Sequence, residues 1–368
     1  MVSIAREILL HDKARFLITV VSLGFAIVMI VYDMMMFFGV TEENLNLVDR
    51  AGAQLWLSED EGRSFNAPSL VPDTLLGRAR RTDGVAQACA LSTLMGNLKV
   101  SDNRQVFVVG IDPACPLIQP WNVVAGDLAD LRRDDTIVVD GLALRGESVR
   151  AGDVVELNGR EMRVVAITRG NKSFSSPYVY VNLHTFTGIG GTPGYYSFVA
   201  VRLAPDADPA RVAQRLANVR SDVAVSAVRE FRRASTATLI AAGVGMIFSV
   251  VFVGVLVGVL IITLTIYTAT MERLRDFAIV KALGATRWKV WGIVMEQAIT
   301  EMTVSFVFGL AASWGLDYVV RTASGISVRF NLQAIAISFV ALIGLAMLGA
   351  LLSIRKAVSV DPGMVFRA

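Results

Sequence analysis

Four side chains in this sequence would ordinarily carry covalent or metal chemistry: His11, His184, Cys89 and Cys115. The histidines lie far apart, and no His/Cys group has the spacing of zinc ligands. There is no Gly-x-Ser-x-Gly nucleophile turn and no His-Glu-x-x-His pair. The nearest string to a phosphate-binding loop is Gly170-Asn171-Lys172-Ser173. It lacks the glycine directly before the lysine and the upstream glycine that such a loop needs. Met29, Met34, Met35 and Met36 offer soft sulfur donors, but a flexible apolar surface is the simpler use of them. Cys89 and Cys115 can form a disulfide in an oxidising compartment or stay as buried thiols. Spacing does not bring their Cα atoms together by itself. The chain shows no means of hydrolysing a nucleotide, no covalent catalyst and no metal site, so no cofactor is expected in it.

The composition explains where these residues sit. The 368 residues are 54% hydrophobic and 18% charged, with a mean hydropathy of +0.55. Soluble domains carry about 25% charged residues. The net charge of +3 is too small to point to nucleic acid. Of the 67 charged side chains, 45 (22 basic, 23 acidic) fall between residues 41 and 235. Residues 234–271 and 330–354 contain none. Crossing a bilayer takes about 20 apolar helical residues, so both runs can span.

Four spans follow: about Phe16–Val40, Leu239–Tyr267, Trp291 or Met302 to Val320, and Gln333–Ile354. The first is too long for a cleaved signal segment. The second carries Gly254-x-x-x-Gly258, a spacing that lets helices approach closely. Glu296 and Glu301 open the third span and are expected at its boundary, within reach of water. Basic residues near span ends set orientation. Arg6, Lys13 and Arg15, the 272–289 link, and Arg355, Lys356 and Arg367 place both termini in the cytoplasm. Residues 41–235 are then outside: in the periplasm if the chain sits in the inner membrane of a Gram-negative bacterial cell, or at the cell surface otherwise.

The expected fold is a membrane α-helical chain (four transmembrane helices) with a large extracytoplasmic α+β domain inserted between helices 1 and 2. The segments are 1–40 (N-terminal segment and first span), 41–235 (outer domain), 236–290 (second span, stalk and coupling helix) and 291–368 (last two spans and tail). Strand signals in the outer domain include 53–57, 105–111, 136–139, 154–157, 162–167, 178–182 and 197–203. Asn158-Gly159 predicts a hairpin turn. Helices are predicted over 72–81 and over 209–218, the latter behind the N-cap Asp208. The mixture points to an antiparallel or mixed sheet.

Two carboxylates fall inside spans, Asp33 and Asp317. Each costs free energy there unless it finds water or a partner. They can line a cargo path or pair with Arg321 or Arg329. They can equally sit solvated at the headgroup level.

The second span does not stop at the membrane. It continues as Thr270-Met271-Glu272-Arg273-Leu274-Arg275-Asp276-Phe277-Ala278-Ile279-Val280-Lys281-Ala282-Leu283-Gly284-Ala285-Thr286-Arg287. The charge changes abruptly while helix formers persist. Gly284 is a natural helix stop, and Thr286 can cap a short new helix at the cytoplasmic face. Phe277, Ile279, Val280 and Leu283 leave an apolar surface in need of cover. An ordinary amphipathic loop helix would read the same way.

That string resembles the signature of the MacB/FtsX-type permeases of ABC transporters. The tail 354–367, with Asp361-Pro362, resembles the second signature of that family, and its ending is similar to the DevC branch, with HrtB as a relative. The resemblance implies a coupling element that docks on an ATPase subunit. Glu272, Arg273, Arg275, Lys281, Gly284, Ala285 and Arg287 match it, and Asp276 stands where Glu is usual. It further implies a permease homodimer with two ATPase chains, which would hold the ATP and Mg, and a mechanical coupling of hydrolysis to the outer domains. Export of an amphiphile is the first function implied. An adaptor protein and an outer-membrane channel are then possible partners beside membrane lipids. Signalling to an outer cell-wall hydrolase and lipoprotein release are the alternatives. The outer domain, roughly 195 residues, is large for a signalling member.

Overall fold

The computed structural model describes residues 13–43, 45–59, 64–65, 69–173, 176–218, 223–242, 244–272, 279–280, 285–324 and 331–359. Two compact units emerge: Met1–Gly39 with Met246–Ala368, and Val40–Gly245. In chain order the elements begin with α1 (Lys13–Glu43), α2 (Asn46–Arg50), β1 (Leu55–Glu59), β2 (Val71–Pro72), α3 (Asp73–Arg80), β3 (Val85–Lys99), β4 (Asn103–Ile111) and β5 (Val123–Gly126). After a 3-10 turn (Leu128–Arg132) come β6 (Thr136–Asp140), β7 (Val154–Leu157), β8 (Arg160–Thr168), β9 (Tyr178–Asn182), α4 (Leu183–Gly188), β10 (Tyr195–Tyr196) and β11 (Phe198–Leu203). The chain ends with α5 (Pro209–Ala217), β12 (Val223–Ala227), α6 (Val228–Ala242), α7 (Val244–Glu272), α8 (Arg287–Ser324) and α9 (Leu332–Ser359).

The second unit is built on one mixed sheet in the order β12-β1-β11-β3-β4-β9-β6-β8-β5, with β7 paired to β3 and β8. Pairs β4–β9 and β6–β8 are parallel and the other pairs antiparallel. The predicted hairpin forms between β7 and β8. Asn158 and Gly159 both take positive φ, 50° and 82°, as a two-residue hairpin turn requires. Asp208 caps α5 by accepting from the Ala210 amide at 3.0 Å. Pro72 sits one position earlier than predicted, as the extended residue before α3. Its partner is Tyr195 in a small two-stranded sheet.

A buried polar knot pins the loop after β8. Asp140 accepts from the Asn171 amide at 2.7 Å, the Leu142 amide at 3.0 Å and the Thr168 hydroxyl at 3.2 Å. Asn171 in turn accepts from the Tyr180 hydroxyl and donates to the Trp121 carbonyl. The string that faintly resembled a phosphate loop therefore contains a fully buried asparagine serving the fold. Burial pushes the Asp140 carboxyl above its ordinary range, and the three hydrogen bonds and Lys172 oppose that shift. Burial likewise raises the Tyr180 phenol well above its usual value.

Cys89 on β3 and Cys115 after β4 form a disulfide, with Cα atoms 6.0 Å apart, within the range a bridge demands. It closes a loop with a sequence separation of 26. Loop-closure entropy puts its contribution at about 3.5 kcal/mol. A C89A/C115A chain is expected to unfold about 10 °C lower, measured by thermal unfolding of the outer domain within the full chain. An unchanged transition, with the bridge verified in the parent, would refute that contribution.

Among its described residues, the first unit holds four helices long and apolar enough to cross a membrane: Phe16–Met35, Phe252–Ala269, Trp288–Val320 and Leu332–Ala350. Their packing depends on glycine. A Cβ on Gly258 would lie 2.6 Å from Ile30 Cδ1, and one on Gly254 would strike the Asp33 carboxylate. The Gly254-x-x-x-Gly258 step therefore is a contact face, turned to span one. On the other flank of span one, a Cβ on Gly24 would lie 2.5 Å from Phe308 Cδ1. One on Gly309 would lie 2.7 Å from Ile27 Cγ2 and 3.0 Å from the Gly24 carbonyl oxygen. Only residues without side chains allow backbones this close.

Candidate functional site

The segment predicted to dock on an ATPase subunit begins where α7 ends. Glu272 is its exposed last residue. Arg273, Arg275, Asp276, Lys281 and Gly284 lie outside the described residues. The Ala285 amide bonds back to the Val280 carbonyl at 3.2 Å, a six-to-one bond of the kind that closes a helix C-terminus. The Thr286 carbonyl then accepts from the Lys289 and Val290 amides, which starts the next helix. That helix is not the short, separate one predicted: α8 runs unbroken from Arg287 to Ser324. The apolar periodicity past residue 290 simply continues the same helical face, so nothing stops it. Ile279 is 41% exposed and Trp288 74% exposed. Both are large apolar side chains exposed at the surface.

Span three carries a second feature. Gln297, Glu301, Ser305, Gly309, Ser313 and Asp317 recur at every fourth position, and all are buried. Twenty residues of helix rise about 30 Å, the thickness of a bilayer core. A small or polar seam therefore runs the length of the span. Its middle is closed on itself: the Ser305 hydroxyl donates to the Glu301 carbonyl at 2.6 Å and the Ser313 hydroxyl to the Gly309 carbonyl at 2.8 Å. A carboxylate lies near each end, Glu301 one step inside the first and Asp317 at the last. Glu301 accepts from Gln297 Nε2 at 3.1 Å and is buried, which corrects the expectation that it reaches water. The neighbouring helices cover it because it points along the packed face, whereas Glu296 points away and is exposed.

Asp317 is also buried, within electrostatic range of Tyr32 on span one. The next residue, Asp33, is half-buried against Gly254 of span two. Spans one and three run side by side in matched register, since Gly24 to Tyr32 and Gly309 to Asp317 are equal steps. The two carboxylates singled out from sequence therefore approach the same level of the bundle. Among the described residues, no three His, Cys, Asp or Glu side chains could hold a metal ion.

Helix α6 is the element that sequence reasoning missed. Phe231 stacks on Trp56 with ring centroids 5.1 Å apart and an interplanar angle of 2°. Phe198 meets Phe231 edge-on at 5.5 Å. One turn later the Ser235 hydroxyl accepts from the Phe65 amide at 2.8 Å. Both side chains are fully buried, so α6 is locked to the sheet. Only residue 243 separates it from α7. The available signal was the aromatic at 231 in a charged segment, four residues before a serine.

Two family descriptions match this chain. Residues 16–219 match the MacB-like periplasmic core domain, and residues 236–362 match the FtsX-like permease C-terminal region. An ABC transporter permease of Mycobacterium tuberculosis, found in strains CDC 1551 and H37Rv, is 23% identical over 375 residues and covers 96% of both chains. Among solved structures, the extracellular domain of the ABC-type transporter YknZ from Gram-positive bacteria is 18% identical, with a TM-score of 0.37 over 47% of this chain and 98% of its own. The periplasmic region of MacB from Actinobacillus actinomycetemcomitans is 13% identical, with a TM-score of 0.39 over 51% of this chain and 95% of its own. Together, the two adjoining family matches over four apolar helices and an inserted domain show that the chain belongs to the MacB/FtsX-type permeases of ABC transporters.

Proposed function

We propose that this permease exports or extracts an amphiphilic molecule, driven by ATP hydrolysis in a separate subunit. The observation that carries the reading is the 272–287 segment. A charged stretch follows an apolar span, a helix-closing bond lies near its end, exposed Ile279 lies within it and exposed Trp288 directly follows it. Two ATPase chains would dock there, on a homodimer of the permease, with ATP and Mg held by the partners. Glu272, Arg273, Arg275, Asp276, Lys281, Gly284, Ala285 and Arg287 form the docking element. Docked motion would pass along α7 into α6, and through the Phe231 anchor into the outer sheet.

The domain with the large sheet then lies outside the cell membrane, with both termini in the cytoplasm. The Asp361-Pro362 tail supports a DevC-type branch. A periplasmic adaptor and outer channel fit an amphiphile exporter in a double-membrane cell. Asp33 and Asp317, converging on one level of the bundle, are the residues proposed to border the cargo path.

The test is reconstitution with the cognate ATPase. An R273E/R287E chain should lose about 2 kcal/mol or more of docking, about thirtyfold in affinity, and with it the permease-stimulated ATPase rate. The unfolding transition of the outer domain should not move. ATP hydrolysis by the purified chain alone, or full stimulation by the double variant, would overturn the proposal.

A further inference from the structure

Strand β3 lacks a neighbouring strand on one side for part of its length. β11 pairs with it up to Leu91, and β7 joins only at Leu98. Between them, Ser92 to Asn97 pair with β4 alone among the strands. The chain from Ile189 to Ser197 bridges this lapse. At one end Asn158 accepts from the Asn97 amide at 2.8 Å and donates to the Ile189 carbonyl at 3.1 Å. At the other the Ser197 hydroxyl accepts from the Thr93 amide at 3.0 Å. Gly190, at a φ of 134°, brings the bridge against β3, where a Cβ would lie 3.7 Å from Leu94 Cδ2.

Strand and bridge enclose a cavity of about 100 Å3. Three consecutive residues of β3, Ser92, Thr93 and Leu94, line it. Side chains alternate between the two faces of a strand. A cavity that touches three in a row therefore lies beside the strand, where a neighbour would run. Among the described residues that line it, none is charged. Thr93 is 4% exposed, and its hydroxyl has no hydrogen-bond partner. The Thr93 amide points to the open side, and in an antiparallel strand its carbonyl points the same way. Leu70 and Tyr195 also line the cavity and are 50% and 44% exposed, so they form an apolar rim at its mouth.

The chemistry of an occupant follows from these walls. A charged group would lose its water with no opposite charge to meet it. A wholly apolar group would leave the Thr93 hydroxyl unpaired. The volume equals that of about three waters, room for about three or four non-hydrogen atoms. A carboxamide has that size. It carries both a donor and an acceptor, the pair that a neighbouring strand would itself have supplied. We infer that this cavity binds the carboxamide head of an uncharged amphiphile, whose apolar chain leaves over Leu70 and Tyr195. This names a cargo class for the export reading and rests on that reading for its purpose. Binding needs neither the ATPase nor turnover, so the two can fail separately.

The experiment uses the full-length permease without its ATPase, in nanodiscs, with empty nanodiscs to subtract partition into lipid. Equilibrium dialysis follows radiolabelled octanamide, octanoate, octylammonium and acetamide. Octanamide should bind saturably, and its two charged counterparts at least about tenfold more weakly. Acetamide should also bind at least about tenfold more weakly, since it lacks the chain that meets the rim. Thr93→Val removes the hydroxyl at nearly constant shape and should weaken octanamide about tenfold. Thr93→Ser keeps the hydroxyl and should bind within about threefold of the parent. The T93V chain should unfold at the parent's temperature or above it, because it deletes a buried hydroxyl that the free protein leaves unpaired. A merely structural hydroxyl would instead lower that temperature, which would count against the site. Octanoate bound as tightly as octanamide, acetamide bound as tightly as octanamide, or a folded T93V chain that binds octanamide like the parent would overturn the proposal.

Discussion

Replacing Phe231 with alanine is expected to destabilise the outer domain by about 3–5 kcal/mol, the usual loss for a fully buried aromatic. The ring is stacked on Trp56 and capped edge-on by Phe198, so the removed atoms leave a hole among rings that cannot collapse. Phe231→Leu keeps most of the volume and should cost about 1.5 kcal/mol or less. The functional consequence is separable from the loss of stability. Below the unfolding temperature of the variant, the proposed docking element is untouched, so the ATPase should still assemble and hydrolyse. What should fall, by at least about tenfold, is the response to cargo, because α6 would no longer carry motion rigidly into the sheet. Reconstituted ATPase and cargo release, measured side by side, check this. Intact cargo response in a folded F231A chain would show that α6 is not the transmitting element.

The second large effect is expected at Gly309. A side chain there meets Ile27 and the backbone carbonyl of Gly24. A rotamer change can move Ile27 but not a carbonyl oxygen. Gly309→Leu must therefore part spans one and three. Overpacking costs about 1–3 kcal/mol or more, and here it also breaks the contact of two backbones that depends on small residues. Urea or SDS unfolding of the chain in mild detergent should show the loss, and the assembled complex should fall in yield. Gly315 and Gly344 have open space where a Cβ would go. Leucine at either should be silent, so these variants control for the loss of helical glycine itself. A G309L chain as stable as G315L would refute the seam.

Much of this was legible along the chain. The four spans depend on runs of apolar residues about 20 long, a property that needs no knowledge of neighbours. The hairpin at Asn158-Gly159 and the cap at Asp208 are local for the same reason. They satisfy backbone geometry within a few residues. The fifteen-residue strand β3 was not legible. Its middle, Ser92-Thr93-Leu94-Met95-Gly96-Asn97, lacks alternation and has Thr93 as its sole β-branched residue, and it is extended because β4 pairs with it from Leu91 to Lys99, while β11 holds the first half from Val85 to Leu91.

The sequence by itself determined the two materials of this protein, the order in which they alternate, and the charged segment that follows the second span. Those are properties of composition and spacing. Only the tertiary structure decided what the polar residues do. It joined Cys89 to Cys115, made Gly254, Gly258 and Gly309 contact faces, buried Glu301 and not Glu296, and locked α6 to the sheet through Phe231. Each outcome depends on which face of a helix or strand is covered. A one-dimensional pattern names the residues on a face, and the packing of the other elements decides which face meets protein and which meets solvent or lipid.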